Sequence, residues 1–127
     1  MNLILDSHAF LWALGDDPAL GRQVRAALER DDVRVSLSTA TVWELGIKHS
    51  LGRLHLPVTL REMLATAVAA RMRVLPIVPE HALRAADLPH HHADPFDRLL
   101  IAQALAEGLI VASRDRKFAA YGVECLW

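Results

Sequence analysis

Two short runs of unbroken apolar residues constrain this chain most: LIL within NLIL at 2–5 and LIVA within LIVAS at 109–113. A strand with one wet face alternates apolar and polar residues, whereas a strand apolar on both faces must be covered on both. Stretches of helical character separate these runs from further short strand candidates, VRVSLS at 33–38, RVLPIVP at 73–79 (broken by two prolines) and VECL at 123–126. Strands alternating with helices predict an α/β fold with a sheet covered by helices on both sides.

The helices carry local start and stop signals. SHAFLWAL follows Asp6 and stops at Gly15, and Ser38 or Thr39 can cap the helix in TATVWELGIKHSLG. Asp17 and Pro18 suit the start of a helix running through ALGRQVRAALERD. A further helix begins near Thr59 and another spans PEHALRAADL. In HADPFDRLLIAQALAEG, Asp94 fits an N-cap, Pro95 the first helical position and Asp97 the third, and Gly108 ends the helix. Arg114 to Ala120 read as a turn or short helix.

At 127 residues the chain suits one domain with a sizeable core. The net charge of -1 gives no long-range pull toward nucleic acid, although bound cations can reverse a local field. Cys125 is the only cysteine, which fits a reducing, cytoplasmic setting. The start is a poor signal peptide, and no run approaches the roughly 18 apolar residues of a membrane span.

Four acids stand out by position. Asp6 directly follows the first apolar run, and Asp115 lies two residues past LIVAS. Ligands of open parallel sheets sit outside the carboxyl ends of strands, so these two can converge. Asp97 lies in the first turn of the helix preceding that strand. Glu44 sits inside its helix among Val42, Trp43, Leu45 and Ile47, where a carboxylate needs a strong partner. Each also has an ordinary reading: Asp6 and Asp97 as helix-start acids, Asp115 as a turn residue, Glu44 as half of a surface pair with Lys48. Clustered carboxylates repel one another and suit a hard divalent cation such as Mg²⁺, which can activate water toward a phosphodiester. His90–His92 read as a loop, because three adjacent side chains do not readily converge on one ion.

The segments LILDSHAFLWAL, SLSTATVWELGIKHSLGRL, LPHHHADPFDRLLIAQALAEGL and VASRDRKFAAYGV, in this order along nearly the entire chain, resemble the PIN-domain ribonucleases, most closely the VapC-type toxins of bacterial toxin–antitoxin pairs. The resemblance implies a three-layer α/β/α sandwich with a mainly parallel central sheet, a single PIN domain over residues 1–127. It implies that Asp6, Glu44, Asp97 and Asp115 bind Mg²⁺ or Mn²⁺ and cut RNA, with Ser7, Asp94 and Ser113 in possible supporting places. It further implies a homodimer and a cognate antitoxin that inserts a peptide near the acids. Arg98, Arg114, Arg116 and Lys117 are candidates to meet phosphates. Two other readings remain open at this point: a non-catalytic RNA- or protein-binding module, and a phosphatase or receiver-like protein, which the SHAF after Asp6 does not favour.

Overall fold

A computed structural model describes residues 1–127. Its chain order is β1 (Asn2–Leu5), α1 (Ser7–Leu14), α2 (Arg22–Leu28), β2 (Arg34–Ser38), α3 (Thr39–Ser50), α4 (Leu60–Ala69), β3 (Arg73–Leu75), α5 (Pro79–Asp87), α6 (Pro95–Glu107), β4 (Ile110–Ala112), a 3₁₀ helix (Arg116–Tyr121) and β5 (Cys125–Leu126). The strands form one sheet in the order β3-β2-β1-β4-β5, and every pairing is parallel. The expected mainly parallel sheet is thus entirely parallel.

The apolar run that predicted a doubly covered strand is the central one. Leu3, Ile4 and Leu5 are all fully buried. Strand periodicity sends neighbours to opposite faces. Ile4 and its register partner Val111 pack with Leu100 and Ile101 of α6 and with Phe118 of the 3₁₀ helix. Leu5, Leu37 and Ala112 pack instead with Phe10, Val24, Leu45 and Met63 from α1 to α4. The result is the α/β/α sandwich, with α1–α4 on one side of the sheet and α5, α6 and the 3₁₀ helix on the other.

Most helix starts lie where side-chain chemistry places them. Ser38 accepts the Ala40 N–H, and Thr59 and Glu62 form a reciprocal capping box. One start differs from expectation. Asp17 Oδ1 accepts the Ala19 N–H and Asp17 O accepts the Leu20 N–H, so residues 17–20 close into a turn. The helix begins only at Arg22, after Gly21. Gly21 is needed there, because a Cβ would lie 2.5 Å from the backbone carbonyl carbon of Trp127.

Topology then fixes one location. From β1 the chain builds outward through β2 and β3, then returns to add β4 and β5 on β1's other side. The crevice at such a switch point opens beyond the carboxyl ends of β1 and β4.

Candidate active site

Parallel register places the ends of β1 and β4 side by side, Leu5 opposite Ala112, and the Asp6 N–H donates to the Ala112 carbonyl. Asp6 therefore emerges beside Ser113. Its carboxylate caps α1 by accepting the Ala9 N–H at 2.8 Å, and Ser7 is buried at the helix's first position. Burial pushes the Asp6 carboxyl above the usual carboxylate range, against opposing hydrogen bonds from Ser113 and the Ala9 amide. The capping reading of Asp6 is thus correct, and it leaves one carboxylate oxygen unused by the cap.

Asp94 caps α6 as its sequence position predicts, accepting N–H bonds from Phe96 and Asp97. Asp97, at the third helical position, is pushed up to about 7, first by burial, then by the charge of Asp94, with Glu44 and Asp6 adding to it and His92 opposing. Glu44 is buried in the interior of α3, while Lys48, one turn on, donates to it at 2.6 Å from a half-exposed position. That pair is only in part the surface pair expected, since Glu44's side chain is 5 % exposed. The Glu44 hydrogen bond raises the Lys48 pKa, and the charges of Asp94 and Asp97 also contribute.

Asp115 leads into the 3₁₀ helix and accepts the Lys117 N–H. Burial works upward on its carboxyl, but the hydrogen bonds from Lys117 and His92 outweigh it and hold it below the usual range. Ser113 Oγ accepts the Asp115 N–H, so this hydroxyl contacts both strand-end acids.

His92 is the site residue that sequence reasoning missed. The three histidines do form a loop and do not converge, but His92 alone turns in among the acids. Its Nε2 lies 3.1 Å from Asp97 Oδ2 and 2.9 Å from Asp115 Oδ2, which brings the two carboxylates to one point. The loop is held by the Tyr121 hydroxyl, which accepts the N–H groups of His91 and His92. His92 Nδ1 accepts the Asp94 N–H, so the ring proton sits on Nε2 and points at the carboxylates. In this tautomer His92 is a donor that bridges the two acids, and the oxygens are the ligand candidates. Only the two-residue spacing from the cap hinted at this.

Arg98 departs from the phosphate-contact expectation. Its guanidinium donates to the carbonyls of Ala85, Leu88 and Pro89 and ties the end of α5 to α6. Arg114, Arg116 and Lys117 remain exposed.

Comparison with known proteins identifies the family and the fold. The PIN domain family profile matches residues 3–124. The chain is 27% identical over 121 residues to a protein named Ribonuclease VapC22 from Mycobacterium tuberculosis, covering 94% of this chain and 92% of that one. In fold it is similar to a chain of VapBC2 from Rickettsia felis, solved bound to a promoter DNA fragment, with TM-score 0.75, 14% identity and coverage of 99% and 98%. It is also similar to a chain of VapBC-1 from nontypeable Haemophilus influenzae, with TM-score 0.70, 17% identity and coverage of 99% and 97%.

Proposed function

This chain belongs to the PIN-domain family, and from that premise we propose that it is a divalent-metal-dependent endoribonuclease acting as the toxin of a toxin–antitoxin pair. The observation that carries the reading is geometric: the carboxylates of Asp97 from α6 and Asp115 from the loop after β4 lie 3.1 Å and 2.9 Å from the same His92 nitrogen, next to the end of β1 that carries Asp6. Asp97 from α6 is raised toward neutrality in part by Glu44 from α3 and Asp6 from the end of β1. Carboxylates so placed stabilise one another only through a cation or a proton.

Asp6, Glu44, Asp97 and Asp115 would hold Mg²⁺, or Mn²⁺, an all-oxygen donor set of the kind hard cations take. A bound ion supplies Lewis acidity and lowers the pKa of its water. The chain's residues do the rest. Ser113 orients Asp6 and Asp115, and His92 sets the spacing of Asp97 and Asp115. Asp94 fixes the start of α6 and thus where Asp97 points, and Ser7 fills the space beside Asp6. Lys48 offsets Glu44's charge and is the internal cation nearest to an ion-like role.

The wider reading follows from the same likeness. Residues 1–127 act as a single PIN unit, as a cytoplasmic homodimer, with an RNA substrate and a cognate antitoxin. No helix is long and apolar enough to cross a membrane. The similarity to VapBC chains supports the antitoxin partnership.

The test is cleavage of structured RNAs by the purified chain with Mg²⁺ or Mn²⁺, an EDTA control and the Asp97→Asn variant. Asn keeps the side-chain size at the helix start, so folding is retained. The expected result is cleavage that EDTA abolishes and the variant loses. Cleavage that ignores EDTA, or equal cleavage by both proteins, overturns the mechanism.

A further inference from the structure

The segments leaving β1 and β4 carry a second set of side chains just outside the acids. Asp6 and Asp115 belong to the acidic cleft, whereas His8 and Arg114, their neighbours in sequence, are exposed. His8 and Trp12 lie one helical turn apart on α1. Their rings stack at 5.3 Å with an interplanar angle of 26°. The Arg114 guanidinium lies over the same indole, 5.0 Å from its centroid. Trp127 meets Trp12 edge-on at 5.8 Å and is itself fixed, because its carbonyl accepts the Gln23 N–H and its ring lies against Gly21. Next to this stack a cleft of about 480 Å³, lined by Arg114, Arg116 and Trp127, reaches Ser113 and Asp115. Neither arginine is engaged in an ion pair within the chain.

Planar groups beside open guanidiniums are the chemistry that holds unpaired nucleotides. Every base has a face to stack, and each phosphate pairs with a cation. Acids alone would repel a phosphodiester strand, and two cations at the rim of the cleft offset that repulsion where the strand enters. We infer that the His8–Trp12–Arg114 stack, with Arg116, is a subsite for a single-stranded RNA segment next to the acidic cleft. The class of ligand rests on the ribonuclease reading. Bases within a duplex are already stacked, so the subsite selects loops, ends and unpaired stretches.

The test is fluorescence anisotropy of the full chain in EDTA, where nothing is cut. The probes are labelled oligouridylate and oligoadenylate of about 12 nucleotides, a blunt RNA duplex, and an Asp/Glu-rich peptide. The variants are Trp12→Leu, Trp12→Phe and the double change Arg114→Gln with Arg116→Gln, each first checked by thermal melting. Trp12 also packs against the core, so Trp12→Phe, which keeps a ring, separates lost stacking from lost folding. Wild type should bind both oligonucleotides more tightly than the duplex. Trp12→Leu should weaken this about tenfold, and Trp12→Phe should retain most of it. The double arginine change should flatten the slope of log affinity against log salt by about 1.4, or roughly 0.7 per lost phosphate contact. No saturable binding at low salt, equal affinity for the duplex, or affinities unchanged in the variants overturns the subsite. So does peptide binding that these changes abolish while RNA binding persists, which assigns the surface to a protein partner. Because the readout needs no cleavage, the two readings fail separately. A chain that cuts RNA but binds it equally in all variants loses only the subsite, and one that cuts nothing yet shows variant-sensitive binding loses only the nuclease reading.

Discussion

Two polar regions cross the interior of this molecule, and they are built on opposite plans. The first is a chain of neutral partners. Ser38 donates to Gln103 Oε1, Gln103 Nε2 donates to the Pro76 carbonyl, and His81 Nδ1 accepts the Val78 N–H. His81 Nε2 then reaches Glu107 at 2.9 Å, near the surface. Gln103 and His81 are almost wholly buried, yet donors meet acceptors throughout and the only formal charge stands at the outer end. The second is the acidic cleft, where Asp6, Glu44, Asp94, Asp97 and Asp115 face one lysine and one histidine. A satisfied network ties β2, α5 and α6 together, and burying it costs little. A surplus of like charge costs stability and is retained where something outside the chain balances it.

That contrast can be broken by paired substitutions. Glu44→Gln keeps shape and can still accept from Lys48, so it should lower metal-dependent RNA cleavage at least ~10²-fold while the urea midpoint moves little. Gln103→Leu should do the reverse in stability. It leaves Ser38 without its acceptor and the Pro76 carbonyl without its donor, which costs about 1–3 kcal/mol in urea unfolding. If Glu44→Gln unfolds the chain and Gln103→Leu is silent, the assignment of roles is inverted.

A third measurement uses pH. Folding holds the Asp97 proton up to about 7 against an ordinary value of 3.8, so the folded state binds more protons between these values. Stability of the metal-free chain therefore declines as pH rises from about 4 toward 7 and levels off above. Asp6 is shifted in the same direction, while Asp115, held low, acts oppositely and only at the acid end of that window. Urea midpoints at pH 5 and pH 8 should show the decline, and Asp97→Asn should lessen it. Mn²⁺ competes with this proton, so it should raise the melting temperature more at pH 8 than at pH 5. An Mn²⁺ effect that is the same at both values would show that Asp97 is not among the ligands. The smallest effect is expected at the cap: Asp94→Ala should cost ~1 kcal/mol and Asp94→Asn much less, as read by thermal melting.

Much of this was open to inspection in the residues themselves. The caps at Asp6, Ser38, Thr59 and Asp94 depend on a side chain and an amide two or three residues away. The doubly apolar run Leu3–Leu5 needs only its own composition to demand cover on both faces. These are local interactions, so the sequence by itself determined most of the helices and strands, the need for cover on both faces of the sheet and the placement of acids at strand and helix ends, whereas the all-parallel pairing belongs to the assembled sheet. Where a local signal had two outcomes, as at Asp17 and Pro18, packing of Trp127 against Gly21 accompanied the turn rather than the early helix. Tertiary structure alone decided that β4 lies beside β1, which brings Asp6 next to Ser113, and that His92 swings inward to bridge Asp97 and Asp115. It also turned Arg98 inward to the α5 carbonyls and left Arg114 over Trp12. The physical reason is separation along the chain: partners more than 20 residues apart, such as His92 and Asp115, leave no periodicity or spacing for a sequence to display, and only the closing of the fold brings them within reach.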